Sequence, residues 1–199
     1  MARETVTIKN VAERANVSTA TVSRVLNNDP RVRKETRNIV LDAMNSLGYK
    51  LNFVARSLKT SRTHTIGVLS PDLSGDFFMF IAESMNRELT GRGYSLVVGT
   101  SQGSEEEEAR QIRHLAERLV DGIVLIPVGG SSAYLPQISA FNIPIVFVDR
   151  ILKGYKADKV LVDNEEGAYK AVSALIREGH HRIGFLGGNP EVTTAEERY

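Results

Sequence analysis

Apolar residues follow two different spacings along this chain, and the change comes near residue 65. Before it, apolar residues recur every three or four positions, which is the spacing of amphipathic helices. A first helix is predicted to end at a turn around Asn16–Val17, and Ser18 is placed to cap a second helix. The buried faces predicted for these two helices consist of Val11, Ala12, Ala15, Val22 and Val25.

A third amphipathic helix is predicted from Lys34 to Leu47, with Gly48 as its C-terminal stop. The turn before it is marked by the sequence NNDP at 27–30. The apolar face predicted for this helix consists of Ile39, Val40, Ala43, Met44 and Leu47.

Beyond residue 65 the pattern changes to short runs of Ile, Val and Leu separated by amphipathic segments. Such runs are typical of buried strands, and their alternation with helices predicts a parallel sheet covered on both faces. In such sheets, ligands bind beyond the carboxyl ends of the strands. Strands are predicted at 65–70, 95–99, 122–127, 143–148, 159–162 and 182–186, and helices at 77–91, 104–119, 133–141 and 165–178.

The charge distribution divides the chain at the same place. Residues 1–62 contain twelve Lys and Arg against five Asp and Glu, whereas the remainder contains thirteen against nineteen. A total charge of +1 therefore conceals a basic N-terminal module on an acidic body. This asymmetry is expected of a domain that binds a polyanion, joined to a domain with another task.

The outward face of the second helix suits a DNA major groove. Thr19 and Ala20 are small, so the backbone could approach base edges closely, and Arg24 is one long cation that could bind a guanine through two hydrogen bonds. Any small helical hairpin with a solvated face would give the same pattern, so that alternative stays open at this point.

Three ordered blocks resemble the lactose-repressor/galactose-repressor (LacI/GalR) family of bacterial transcription regulators. They are TIKNVAERANVSTATVSRVLNN, ETRNIVLDAMNSLGY and NFVARSLKTSRTHTIGVLSPDLS. The resemblance runs essentially from the first residues to the last. It implies a helix-turn-helix DNA-binding domain at 1–51, a hinge helix or linker at 52–62, and a periplasmic-binding-protein-like core. Within that core, 63–160 would form the N-terminal lobe and 161–199 the start of the C-terminal lobe. Because family members usually continue further, we expect a fragment or a truncation.

The resemblance also assigns residues to DNA. Thr19, Ala20 and Arg24 would face the bases. Two hinge segments would fold together and insert Leu58 into the minor groove. Arg33 stands where relatives usually have a capping Ser, so the third helix would start less well capped and the cation would be available to phosphate. The residues assigned to the phosphate backbone are Thr7, Ser18, Thr21, Ser23, Asn27, Arg31 and Thr36, and those assigned to the hinge are Asn52, Ala55, Leu58 and Lys59.

Candidate effector residues lie just beyond predicted strands or at the start of the following helices. Carboxylates beside aromatic rings suit a polyol, because a sugar offers hydroxyl donors and one apolar face. Helix capping alone would explain Asp72 and Asp163 equally well. The resemblance adds Arg198, at the place of the family's ligand-clamping Arg. The effector set is Asp72, Phe77, Phe78, Asp149, Arg150, Asn164 and Arg198.

Other chemistries have little support in the sequence. The absence of Cys excludes disulfides and thiolate metal sites, and the adjacent pair His180–His181 has no spaced partner for a metal. The acidic run Glu105–Glu108 fits a capping box with Ser104 and Glu107. No serine lies in a recognisable nucleophile context, so we predict no enzyme, no cofactor and no metal. There is no signal-peptide pattern, and the apolar runs are too short to span a bilayer.

The sequence therefore predicts a cytoplasmic, nucleoid-associated DNA-binding transcriptional regulator, a repressor acting as a homodimer on a pseudopalindromic double-stranded operator. A small effector, a sugar or related metabolite, would set its operator affinity. One alternative is a truncated, effector-blind DNA binder or an inactive remnant. Another is a periplasmic-type solute-binding protein, which the missing signal segment and the basic module disfavour.

Overall fold

The computed structural model describes residues 6–27, 29–49, 62–129, 134–138 and 141–199. It divides into two compact units, residues 1–55 and 56–199. The hinge candidates Asn52, Ala55, Leu58 and Lys59 lie outside the described residues. Within the described ranges, no helix is both long and apolar enough to cross a membrane.

The described residues of the first unit form three helices, α1 (Ile8–Arg14), α2 (Thr19–Leu26) and α3 (Lys34–Leu47). Asn16 turns the chain between α1 and α2 with a φ of 51°, a left-handed conformation that Asn tolerates well. The Ser18 hydroxyl caps α2 by accepting the Thr21 N–H at 3.1 Å. Gly48 ends α3 with a φ of 62°. The predicted turn, cap and stop are thus confirmed.

The core of the first unit lies between the three helices. The predicted faces of α1 and α2 are confirmed, and α3 contributes Val40 and Ala43, with Met44 and Leu47 packed against them. The prediction for Ile39 was wrong, because its side chain is 52% exposed. Consecutive helix positions lie about 100° apart around the axis, so a narrow stripe centred on Val40 leaves Ile39 outside it.

Arg37 connects α3 to the end of α2. Its guanidinium donates to the carbonyl of Val25 at 3.2 Å and to the carbonyl of Asp29 at 2.9 Å. Carbonyls at the end of a helix lack partners within the helix, so a cation that binds there satisfies them and also suits the helix dipole. This arginine has a structural role in fixing the two helices.

In the part of the second unit that the structure describes, five parallel strands form one sheet in the order β2-β1-β3-β4-β5. Their bounds are Thr65–Ser70 for β1, Ser95–Thr100 for β2, Gly122–Leu125 for β3, Ile145–Val148 for β4 and Asp158–Val160 for β5. The connecting helices are α4 (Asp76–Gly91), α5 (Glu105–Glu117) and α6 (Leu135–Ile138). The predicted α/β fold class is confirmed.

Helix α5 packs closely on the sheet. A Cβ atom on Gly67 of β1 would lie 2.8 Å from a methyl carbon of Leu115, so any side chain at this position would displace Leu115. The buried core around it includes Leu69, Ile112, Ile123 and Phe147. The strand order reverses between β1 and β3, and in open α/β sheets such a reversal opens a crevice at the carboxyl ends of the strands. A ligand is therefore expected to bind at this edge.

Two helices follow the sheet, α7 (Asn164–Arg177) and α8 (Thr193–Glu197). The strand predicted at 182–186 was wrong, because these residues form no strand. A strand needs a neighbour for its backbone hydrogen bonds, and no described strand lies beside this segment. Phe185 and Leu186 are accordingly 56% and 100% exposed.

We expect limited trypsin digestion to cut this last region before it cuts helix α5. Arg177 and Arg182 are exposed beside a coil, whereas the exposed Arg113 lies inside the packed helix α5. Proteases need locally extended backbone, so cleavage at the first two sites should precede cleavage at Arg113. Mass spectrometry of timed fragments would measure the order. Equal cleavage rates at Arg113 and Arg177 would contradict the prediction.

Candidate nucleic-acid interface and effector site

The outward face of α2 is available to a partner. Thr19, Ala20 and Arg24 are exposed, whereas Val22 and Val25 on the opposite face are buried. The helix therefore presents two small residues and one guanidinium, as the sequence predicted. The contact of these side chains with bases stays a prediction.

Two of the hydroxyl groups assigned to the phosphate backbone lie together at the start of α2. The hydroxyls of Ser18 and Thr21 are 2.9 Å apart, and a helix N-terminus favours an anion. At the start of α1, the Thr7 hydroxyl donates to the Asn10 side-chain oxygen at 2.7 Å. At the other end of α2, Ser23 is half-buried and Asn27 is exposed.

Arg31 already has an anionic partner. Its Nε and Nη2 donate to the two carboxylate oxygens of Asp29 at 3.0 and 2.7 Å. These bonds to the Arg31 guanidinium lower the pKa of Asp29 to about 2. The Arg31 side chain nevertheless remains 83% exposed. Its remaining N–H groups can therefore still reach a ligand.

A basic cleft joins α2 to the start of α3. Its lining brings together residues predicted to contact DNA bases and residues predicted to contact phosphates, which are separate in the sequence. Arg33 is the N-cap residue of α3 and makes no side-chain cap, as predicted. The cleft therefore contains three guanidinium groups and two hydroxyls, a composition that suits phosphate. It is lined by Thr21, Arg24, Arg31, Val32, Arg33 and Thr36.

In the second unit, the carboxyl edge of the sheet brings several effector candidates together around Arg150. The Arg150 guanidinium lies 5.7 Å from the centre of the Phe78 ring. Its Nε is 3.4 Å from Asp149 Oδ2, and its Nη1 donates to the carbonyl of Pro127 at 3.4 Å. The buried Nε has no hydrogen-bond partner among the described residues. Arg150 is thus held at this edge by Phe78, Asp149 and the Pro127 carbonyl.

Asp149 is held in an unusual backbone conformation. Its φ is 65°, in the left-handed region, and such conformations cluster at functional sites. Its side chain is buried, and this burial raises its pKa, whereas the nearby charges of Arg150 and Arg198 oppose the rise. Burial and the adjacent cations thus act on the pKa of this carboxyl group in opposite directions.

Asn164 and Arg198 form one hydrogen-bonded group at the start of α7 and the end of α8. Arg198 Nε donates to Asn164 Oδ1 at 2.8 Å, and Asn164 Nδ2 donates to Glu197 Oε2 at 2.8 Å. Helix α8 is joined to the segment after β4, because the Ile151 N–H donates to the Thr193 hydroxyl at 3.2 Å. Residues from both predicted lobes therefore meet near Asp149.

Asp72 organises the loop before α4. Its Oδ1 accepts from the Ser74 hydroxyl at 2.9 Å and from the N–H groups of Ser74 and Gly75 at 2.9 and 3.1 Å. These bonds lower its pKa, the Ser74 hydroxyl most. The capping interpretation of Asp72 was wrong, since Gly75 is the N-cap residue. For Asp163 it is confirmed, because its carboxylate accepts the Glu166 N–H at 2.9 Å.

Phe77 stands at the margin of this group. It touches the edge of the Phe78 ring, with 5.3 Å between ring centres, and it is 52% exposed. Among the aromatic candidates, Phe78 is thus the ring that the structure places against Arg150.

Sequence reasoning missed Glu108. The Ser104 cap is confirmed by its bond from the Glu107 N–H at 3.3 Å, but the predicted capping box is not formed. The Glu107 carboxylate accepts from Arg110 and Gln111 instead, and the Ser104 N–H donates to the Ser101 carbonyl.

Glu108 itself is fully buried. It accepts the Val128 N–H at 2.8 Å and the Tyr134 hydroxyl, and burial raises its pKa to about 7. The signal was present in the helix periodicity, because Glu108 shares a face with Ile112 and Leu115, at positions i, i+4 and i+7.

Within the described ranges, no group of three or more His, Cys, Asp and Glu side chains could hold a metal ion.

Two family models account for most of the chain. The model described as bacterial regulatory proteins, lacI family, matches residues 7–52, and a periplasmic binding protein domain matches residues 66–199. The chain belongs to the lacI family of bacterial regulatory proteins. The resemblance seen in the sequence is thereby confirmed.

Similar lacI-family proteins include two bacterial regulators. Catabolite control protein A of Priestia megaterium is 34% identical over 94% of this chain and 56% of its own length. The ribose operon repressor of Bacillus subtilis (strain 168) is 38% identical over 97% of this chain and 58% of its own length. The chain thus spans little more than half the length of these curated relatives.

A solved structure agrees with the fold. It is a lac repressor dimer bound to operator and the anti-inducer ONPF, and it matches with a TM-score of 0.82 at 28% identity. The match covers 98% of this chain and 59% of that chain.

Proposed function

We propose that this protein is a sequence-specific DNA-binding transcriptional regulator, a repressor that acts as a homodimer on a pseudopalindromic operator. The observation that carries the proposal is the exposed face of α2, with Thr19 and Ala20 beside Arg24, next to a basic cleft. Small residues allow the helix to fit closely into the major groove, and one arginine can form two hydrogen bonds with a guanine. The lac repressor relative bound to its operator supports the same reading.

The proposal extends to the second unit, which would bind a small effector and act without catalysis. Arg150, Asp149 and Phe78 form a donor, an acceptor and an apolar face at the carboxyl edge of the sheet. These features suit a sugar or related metabolite, and the ribose operon repressor relative supports that class. We assign the protein to the cytoplasm, in association with the nucleoid. We also propose the domain bounds given above, with the DNA-binding domain at 1–51, the hinge at 52–62, and the two lobes of the core at 63–160 and 161–199.

An effector-blind DNA binder is the second candidate. The exposed side chains of Val162, Ile176, Phe185 and Leu186 favour it, because they leave apolar surface of the second unit uncovered. The two candidates differ in one measurement. A panel of sugars would release a regulator from its selected DNA site or tighten its binding, and would leave an effector-blind protein unaffected.

Selection from a random pool of DNA duplexes tests the DNA-binding function. The protein should enrich a site with two-fold symmetry. Arg24→Ala should relax the preference at one base pair in each half-site, because an arginine–guanine pair contributes about 1–3 kcal/mol of discrimination. The measurement is the ratio of affinities for the selected site and for random duplex.

Arg14→Ala is the matched control, since it removes a cation from the same unit outside α2. It should leave that ratio unchanged. If Arg24→Ala weakened binding to both duplexes equally, Arg24 would bind phosphate and not a base. Enrichment of no common site would refute sequence-specific binding.

A further inference from the structure

Glu108 is an acid in an interior position. It lies on α5 after three other glutamates, yet its side chain is fully buried, whereas Glu106 is exposed. A buried carboxylate is costly unless its oxygens are hydrogen-bonded, and an apolar side chain of similar size usually serves stability as well. Both oxygens of Glu108 are bonded, one to the Val128 N–H and one to the Tyr134 hydroxyl. Compared with an apolar side chain, the carboxylate therefore contributes these two hydrogen bonds.

Both partners belong to the connection that follows β3 at the carboxyl edge of the sheet. Val128 comes directly after Pro127, whose carbonyl accepts a hydrogen bond from Arg150. Arg150 in turn lies against the Phe78 ring. A continuous path thus runs from the interior carboxylate to the guanidinium at the effector edge.

The next residue, Gly129, brings this segment against the approach to α8. Its φ is 120°, and a Cβ atom there would lie 3.2 Å from the Glu191 carbonyl oxygen. The segment that Glu108 bonds therefore meets both Arg150 and the chain leading to Arg198. Its position influences two parts of the edge at once.

We propose that Glu108 is a positioning residue, which bonds the segment after β3 to α5 and so fixes the Pro127 carbonyl on which Arg150 rests. The consequence for effector binding rests on the proposed function, but the positioning itself does not. This positioning role predicts that the Val128 amide and the Arg150 side chain respond together to changes at Glu108.

Protonation provides a specific signature of this role. The groups that face Glu108 are the Tyr134 hydroxyl, the Val128 N–H, Glu105 on its own helix and the more distant Arg150. The ionised carboxylate accepts both hydrogen bonds. The protonated form must place its proton on one oxygen, so that Tyr134 has to accept where it had donated. Because the pKa of Glu108 is about 7, this exchange falls near neutral pH.

Nuclear magnetic resonance on the full 199-residue chain tests the proposal without effector or DNA. Glu108→Ala should speed hydrogen exchange of the Val128 amide at least about tenfold relative to the Ile126 amide, which donates to the Leu69 carbonyl and serves as the internal reference. Glu108→Gln should restore protection, since its amide can accept from Val128 and donate to Tyr134. Glu106→Gln is the matched control.

The pH titration separates positioning from a general loss of stability. In the unsubstituted protein, the resonances of the Val128 amide and the Arg150 Nε–H should shift with one shared midpoint near neutral pH. Both shifts should be absent in Glu108→Gln and present in Glu106→Gln. The proposal is overturned if the exchange ratio in Glu108→Ala is unchanged, or if Arg150 titrates in the same way in Glu108→Gln. If the alanine variant does not fold, the titrations of the other two variants decide.

Discussion

Raising the salt concentration from about 50 to about 200 mM should weaken DNA binding by roughly three to five orders of magnitude. Each neutralised phosphate contributes a slope of about −0.9 to the plot of log affinity against log salt, and a dimer with six or more contacts reaches this range. The physical cause is the release of counterions by the basic first unit, whose cleft contains Arg24, Arg31 and Arg33. Fluorescence anisotropy with a labelled duplex would measure the slope.

Variants of single cations refine this result. Arg33→Ser should reduce the slope by about 0.9 for each protomer and leave base preference unchanged, since a phosphate contact carries no sequence information. Arg177→Ser removes an exposed cation from α7 in the second unit and should leave the slope unchanged. An affinity that stays constant across this salt range would refute the assignment to nucleic acid.

Replacing Glu108 by Gln should change how stability depends on pH. The folded protein keeps the proton of Glu108 up to a pKa of about 7, against a reference value of 4.5, so it binds more protons than the unfolded chain between these values. The contribution of this group to the free energy of unfolding is therefore largest below pH 4.5. It falls as pH rises to about 7, by about 3 kcal/mol in total.

The side chain at position 108 cannot ionise in the Glu108→Gln variant. The free energy of unfolding of this variant should therefore not fall in this way as pH rises to about 7. The difference between the two proteins should be nearly constant below about pH 4.5, and it should then grow in favour of the variant up to about pH 7. Urea unfolding at several pH values would measure it. The exposed Glu106→Gln serves as control and should follow the unsubstituted protein. Parallel curves for Glu108→Gln and the unsubstituted protein would show that Glu108 has an ordinary pKa when folded.

Local signals predicted most of the elements. Ser18, Asn16 and Gly48 each act through their own backbone or side chain, so the turn, cap and stop around the first three helices could be read directly. The first five strands were likewise visible as apolar runs. The strand predicted at 182–186 failed because a strand depends on a neighbour, which its own residues do not reveal.

The candidate site was predicted only in part, for a related reason. Asp149 and Arg150 could be placed at the sheet edge from their position after β4, and Arg198 came from family resemblance. Glu108 was assigned to a solvated first turn because acids suit a helix N-terminus. Its true partners, Val128 and Tyr134, lie 20 and 26 residues further along the chain. Only the folded structure brings them together.

The ion pair between Arg31 and Asp29 gives the free protein an internal substitute for phosphate. The carboxylate binds the guanidinium through two parallel hydrogen bonds, the same geometry that a phosphate group would use. The side chain is therefore already ordered before DNA arrives, and little rotamer entropy remains to be lost on binding. A phosphate would bind the remaining N–H groups of Arg31, whose positive charge Asp29 already neutralises in part. Among the cations of the basic cleft, it should add the least to the salt dependence of affinity while still holding the protein in register on the duplex.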